Sequence, residues 1–126
     1  MSLQTDLARV RGLGSAKEGT GHWWAQRLTA VALVPLGIWF VFAAVSLAGA
    51  DLGEFRAWLT VPYNLILMVL LVGVLFHHMQ LGMQVVFEDY IHNERSKTVV
   101  LVLNKFIAVI LGVSCIIALL RVAFGG

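Results

Sequence analysis

Three long apolar runs separated by short charged stretches govern the reading of this chain. Residues 28–49 are apolar but for Thr29 and Ser46, residues 62–87 carry few polar side chains, and residues 99–120 are broken near their start by Asn104 and Lys105. A helix needs about 20 apolar residues to cross a hydrocarbon core about 30 Å thick, and each run meets that length. In lipid the backbone must satisfy its own hydrogen bonds, and no period-two alternation argues for a barrel, so each run is predicted to be a helix. The fold class expected is an all-α membrane protein with three transmembrane helices.

Local signals refine the limits. Pro62 suits the first turn of the second span, where its missing N–H costs nothing. Pro35 lies inside the first span and should free the carbonyl of Val31, predicting a kink. The third span has two possible starts, near Val99 with Lys105 snorkelling to the surface, or at Phe106. The first is preferred, because residues 99–103 would otherwise be an exposed apolar stretch. Residues 51–60 read as a short connector with Phe55 and Trp58 at the interface. Residues 1–27 form a polar arm ending in His22-Trp23-Trp24-Ala25-Gln26-Arg27, whose tryptophans and arginine suit the headgroup zone. Residues 28–126 are then the membrane domain.

Composition agrees with this picture. Of 126 residues, 60% are hydrophobic and 13% charged, outside the range of soluble domains. The net charge of +2 is spread between the apolar runs, so it makes no basic patch for a nucleic acid. Cys115, the single cysteine, lies in an apolar run, which excludes a disulfide framework. The first twenty-odd residues lack the apolar core of a signal peptide, and a bacterial inner membrane is the simplest address. Arg9, Arg11, Lys17 and Arg27 precede the first span, and Arg95, Lys97 and Lys105 follow the second. The other side holds only Arg56 and Arg121. The positive-inside rule therefore places the N-terminus in the cytoplasm and the C-terminus in the periplasm.

Candidate chemistry is concentrated in residues 75–92, LFHHMQLGMQVVFEDYIH. Positions His78, Gly82, Val85 and Asp89 return to nearly one direction on a helix, with His78 and Asp89 roughly 16 Å apart along it. With Asp89 at the interface, His78 lies deep in the hydrocarbon, where an imidazole is expensive and marks a functional site by default. His77 points about 100° away and cannot serve the same ion from the same face. Haem iron held by two imidazoles needs ligands from opposite sides, and the first and third spans contain no histidine. If His78 binds haem in this way, the second ligand must come from another polypeptide. A buried imidazole hydrogen-bonded to a neighbouring helix explains His78 on spacing alone just as well. Gly82 either makes room for a macrocycle edge or lets two helices approach. Asp89 and Tyr90 close the second span, where an acid can exchange protons and a phenol can donate to a ligand carbonyl. A solvated acid beside an interfacial tyrosine is the plainer account. Arg27 can meet lipid phosphates or a buried anion. No haem-attachment, iron–sulfur, P-loop or dinucleotide-binding motif is present, so the chain holds no complete catalytic constellation.

The block His78-x-x-x-Gly82-x-x-x-x-x-x-Asp89-Tyr90 in the second of three spans resembles the hydrophobic membrane anchor of succinate dehydrogenase, the D-type anchor of respiratory complex II. Arg27-Leu28-Thr29-Ala30, Gly53-x-Phe55-x-x-Trp58 and the arm from Arg9 to His22-Trp23-Trp24 extend the likeness, the arm being similar to the alphaproteobacterial branch. The resemblance implies packing with a second three-helix anchor, the C-type cytochrome b subunit, around a shared haem b. His78 would be the axial ligand from this chain, with Arg27 on a propionate and His22, His77 and Gly82 near the haem. Tyr90 would hydrogen-bond ubiquinone, helped by Asp89. FAD and iron–sulfur clusters would reside in partner flavoprotein and iron–sulfur subunits. Two other readings are the anchor of another quinone-linked complex of the fumarate reductase type, and a small non-haem membrane transporter or structural protein.

Overall fold

The computed structural model describes residues 5–12 and 19–125. Lys17, counted above in the arm's positive charge, lies outside them. Among the described residues every regular element is helical: α1 (Asp6–Val10), α2 (Gly19–Ser46), α3 (Leu52–Leu59), α4 (Pro62–Tyr90) and α5 (Glu94–Phe124). Three of these, over Thr20–Ser46, Pro62–Tyr90 and Glu94–Phe124, are long and apolar enough to cross a membrane.

The helices overrun the expected spans because their polar ends carry their own caps and turns. α2 begins at Gly19 and takes in the whole His22–Arg27 entry, so the interfacial segment is a continuation of the first membrane helix. The helix runs unbroken through Pro35. Gly49, at φ +84°, turns the chain after α2, a conformation that disfavours other residues. The expected connector is itself a helix: Asp51 caps α3 by accepting from Glu54 N at 2.8 Å, while the Glu54 carboxylate accepts from Asp51 N at 2.8 Å. Pro62 opens α4 as expected. Asn93 caps α5, its side-chain oxygen accepting from Arg95 N and Ser96 N. α5 is continuous from Glu94, so Asn104 and Lys105 lie within one helix with residues 99–103.

α4 is the central element. It packs against α5 along its length and against α2, while α2 and α5 make no close backbone approach to each other among the described residues. Gly112 of α5 lets the Phe76 ring sit against its backbone, where an added Cβ would lie 3.5 Å from the ring. At the far end, buried Asn64 of α4 donates from Nδ2 to the Trp58 carbonyl of α3 at 2.9 Å. Trp58 stacks on Trp39 of α2 with ring centroids 5.9 Å apart. Few apolar residues are fully buried, and α2 leaves Val31, Val34, Ile38, Phe42 and Val45 exposed. An apolar stripe of that size is a surface for hydrocarbon or a partner helix.

Candidate functional site

The α2–α4 contact is built on a hydroxyl and an imidazole. Thr29 Oγ1 lies 2.9 Å from His78 Nδ1. The same hydroxyl lies 2.7 Å from the Ala25 carbonyl and 3.0 Å from the Gln26 carbonyl, the back-bonding that a threonine inside a helix can make. A hydroxyl has one proton and two lone pairs. With that proton directed to the α2 backbone, the contact to His78 is made by the ring donating from Nδ1. In that arrangement Nδ1 carries the hydrogen and Nε2 keeps its lone pair. Nε2 of His78 takes part in no hydrogen bond among the described residues.

His78 lines a cleft of about 500 Å³ together with His22, Trp23, Gln26, Arg27, Ala30 and Val85. α2 supplies one wall of it, with Arg27 lying over the Trp23 ring at 5.3 Å from the centroid. Trp23 in turn meets Trp24 edge to face at 5.1 Å. The Arg27 guanidinium forms no ion pair among the described residues. Gly82 faces the same helix: a Cβ built there would meet only Gln26 Nε2, at 3.8 Å. That is ordinary contact, so packing within this chain does not demand glycine at 82.

His77 is placed elsewhere. One residue along α4 carries it away from His78, and it lines two clefts on the other side with Gln80 and Lys105. His22 is shared, reaching both the His78 cleft and the His77 cleft, and its Nε2 is buried without a hydrogen-bond partner. Asp89 and Tyr90 end α4, both exposed, with Tyr90 79% accessible. Neither is engaged by another side chain among the described residues, so both are free for a partner or ligand. The structure thus groups His78 with Arg27 and His22, lays Gly82 against Gln26, holds Asp89 and Tyr90 apart at the helix end, and turns His77 to a different face.

Thr29 and Gln26 lay within quoted segments but were given no role of their own from the sequence. Thr29 read there as a polar exception in an apolar run; its place two residues after Arg27 was the available signal. Among the described residues no three histidine, cysteine, aspartate or glutamate side chains converge to hold a bare metal ion. A haem asks less of one chain: a single oriented imidazole with a free Nε2, cations near its edge and an open wall. His78, Arg27 and the cleft beside them fit that demand, and the Thr29 contact engages Nδ1, leaving Nε2 as the ring nitrogen open to iron.

The chain matches the family model described as Succinate dehydrogenase/Fumarate reductase transmembrane subunit over residues 1–112. It is 31% identical to the succinate dehydrogenase hydrophobic membrane anchor subunit of Rickettsia bellii, covering 92% of this chain and 93% of that protein. The subunit of the same name from Rickettsia conorii is 26% identical, covering 93% and 94%. That of Paracoccus denitrificans is 30% identical over 80% of this chain and 78% of its own. No solved structure matches the chain significantly.

Proposed function

Because the chain belongs to the succinate dehydrogenase/fumarate reductase transmembrane subunit family, we propose that His78 supplies one axial ligand of a haem b shared with a second anchor subunit, and that Tyr90 and Asp89 form part of a ubiquinone-reduction site. More broadly, the chain is a membrane anchor subunit of succinate dehydrogenase, a multi-pass protein of the bacterial inner membrane and a component of an oxidoreductase complex. The observation that supports the finer reading is the Thr29–His78 contact, which engages Nδ1 and leaves Nε2 outside any hydrogen bond among the described residues.

This chain's own work is binding, orientation and electrostatics. Haem b, held by His78 with Arg27 at its edge, would supply a one-electron redox centre. Thr29 holds the imidazole plane and keeps the proton on Nδ1. Arg27, lying on Trp23 and free of any anion of its own among the described residues, is poised for a propionate, with His22 at the same cleft. Tyr90 donates its phenolic hydrogen to a quinone carbonyl, and Asp89 relays protons from the cytoplasm to the reduced ring. FAD and iron–sulfur clusters, held by partner subunits, would supply the two electrons from succinate, and the residues of this chain would position the quinone that takes them up with two protons. The N-terminus lies in the cytoplasm, as the distribution of arginine and lysine requires, which puts Tyr90 on the side where a succinate-oxidising head docks.

The test is the absorption and electron paramagnetic resonance spectrum of the assembled complex carrying His78→Ala. Loss of the low-spin bis-imidazole signal is expected; an unchanged signal would remove His78 as ligand.

A further inference from the structure

The His77 side of α4 holds features that quinone reduction does not use. A polar cleft of about 580 Å³ is lined by His22 of α2, by His77, Gln80, Gln84 and Glu88 of α4, and by Lys105 of α5. Directly beneath it, sharing His77, Gln80 and Lys105, an apolar groove of about 370 Å³ runs between α4 and α5 past Gly73, Ala108, Gly112 and Ile116. The polar part lies toward the N-terminal side of the membrane and the apolar part toward its centre. That order is the order of a phospholipid in the adjoining leaflet.

The polar part is short of an anion. Lys105 has no carboxylate partner, the ion pairs among the described residues being Arg9–Asp6 and Lys97–Glu94. His22 Nε2 is buried with no partner. Glu88, the one acid in the cleft, lies at its outer end, where it accepts from Gln84 at 3.0 Å. Gln84 in turn accepts from Gln80 at 3.2 Å, and the Gln80 carbonyl accepts from Asn104 at 3.0 Å. This ladder engages the amides and leaves the Lys105 ammonium without an anion and His22 Nε2 buried without a partner. Asn104 pairs with Gln80 across the helices, so Lys105 starts level with Gln80, and its long stem can carry the ammonium toward the surface. A cation that reaches the interface beside a buried, unpartnered imidazole nitrogen favours an anion at that level. The groove below is held open by small residues, and a Cβ at Gly73 would meet nothing within 4 Å.

We propose that this paired cleft and groove binds one anionic phospholipid of the N-terminal-side leaflet, its phosphate on Lys105 and His22 and one acyl chain between α4 and α5. The site lies across α4 from the His78 cleft and shares only His22 with it, so Lys105 and the groove test it apart from the haem assignment.

The test is native mass spectrometry of the assembled complex in mild detergent, titrated with dioleoyl phosphatidylglycerol or dioleoyl phosphatidylcholine. The unmodified complex is expected to retain one phosphatidylglycerol in preference to phosphatidylcholine. Lys105→Gln should weaken phosphatidylglycerol retention by about five-fold, the scale of one basic residue at an anionic surface, and leave phosphatidylcholine unchanged. Gly73→Leu, which fills the groove, should lower retention of both lipids, while the haem spectrum stays as it was. Equal retention of the two lipids by the unmodified complex would overturn the proposal without any variant being needed. So would unaltered phosphatidylglycerol retention in Lys105→Gln, a quinone recovered from the groove, or cross-linking from position 105 to a partner subunit.

Discussion

Thr29 of α2 and His78 of α4 meet at 2.9 Å through one hydroxyl and one ring nitrogen, and the hydroxyl is already committed to its own helix at 2.7 Å. That double engagement makes Thr29 an acceptor for His78 rather than a donor. An imidazole that donates from Nδ1 is a stronger ligand through Nε2 and favours the oxidised metal. The contact also stops the ring rotating, so its orientation is set before any cofactor arrives.

Replacing Thr29 by valine keeps the shape and removes the acceptor. The haem midpoint potential should rise and haem occupancy should fall, on the scale of the 10–100-fold losses known for outer-shell partners of metal ligands. Thr29→Ser should restore both, since serine can make the same back-bond and accept the same hydrogen. Potentiometric titration of the purified complex checks this. A potential that is the same in Thr29→Val and in the unmodified complex would leave Thr29 with packing alone.

Tyr90 is exposed at the end of α4, roughly 18 Å along the helix axis from His78. Tyr90→Phe should lower quinone reduction by about 10²-fold or more, within the range of a lost proton-donating group. Succinate oxidation by an artificial acceptor should persist. Parallel loss of both activities would assign Tyr90 to assembly instead.

Asn64 ties α4 to α3 at the opposite end, buried and donating to the Trp58 carbonyl at 2.9 Å. Asn64→Ala removes a donor to a carbonyl in a tightly packed corner and should cost roughly 1–3 kcal/mol. The thermal transition of the assembled complex should fall while the haem spectrum stays unchanged. A spectrum altered as much as by His78→Ala would mean that the two ends of α4 are coupled.

Much of this was legible in the chain, and the exceptions have physical causes. The three spans stand out because nothing but hydrocarbon explains such long apolar runs. Helix limits did not, because hydropathy falls away where the backbone still spirals: α2 starts at Gly19 and α5 at Glu94, both in polar sequence. Asp51 and Glu54 carried a capping-box spacing, yet their ten-residue stretch read as a connector. Adjacency predicted that the two histidines face different ways, and they do line different clefts, His77 with Lys105 and His78 with Arg27; register with Asp89 favoured His78 as the ligand. The reading of His78 as a hydrogen-bonded core residue and its reading as a ligand turn out to be compatible, because Thr29 uses one nitrogen and leaves the other. What no single helix could reveal is that Thr29, 49 positions away, lies against that ring.

The most direct measurement compares His78→Ala with His77→Ala by low-temperature electron paramagnetic resonance of the assembled complex. With His78 as the ligand, His78→Ala loses the low-spin bis-imidazole haem signal and His77→Ala keeps it. Retention of that signal in His78→Ala, or its loss in His77→Ala alone, would contradict the assignment.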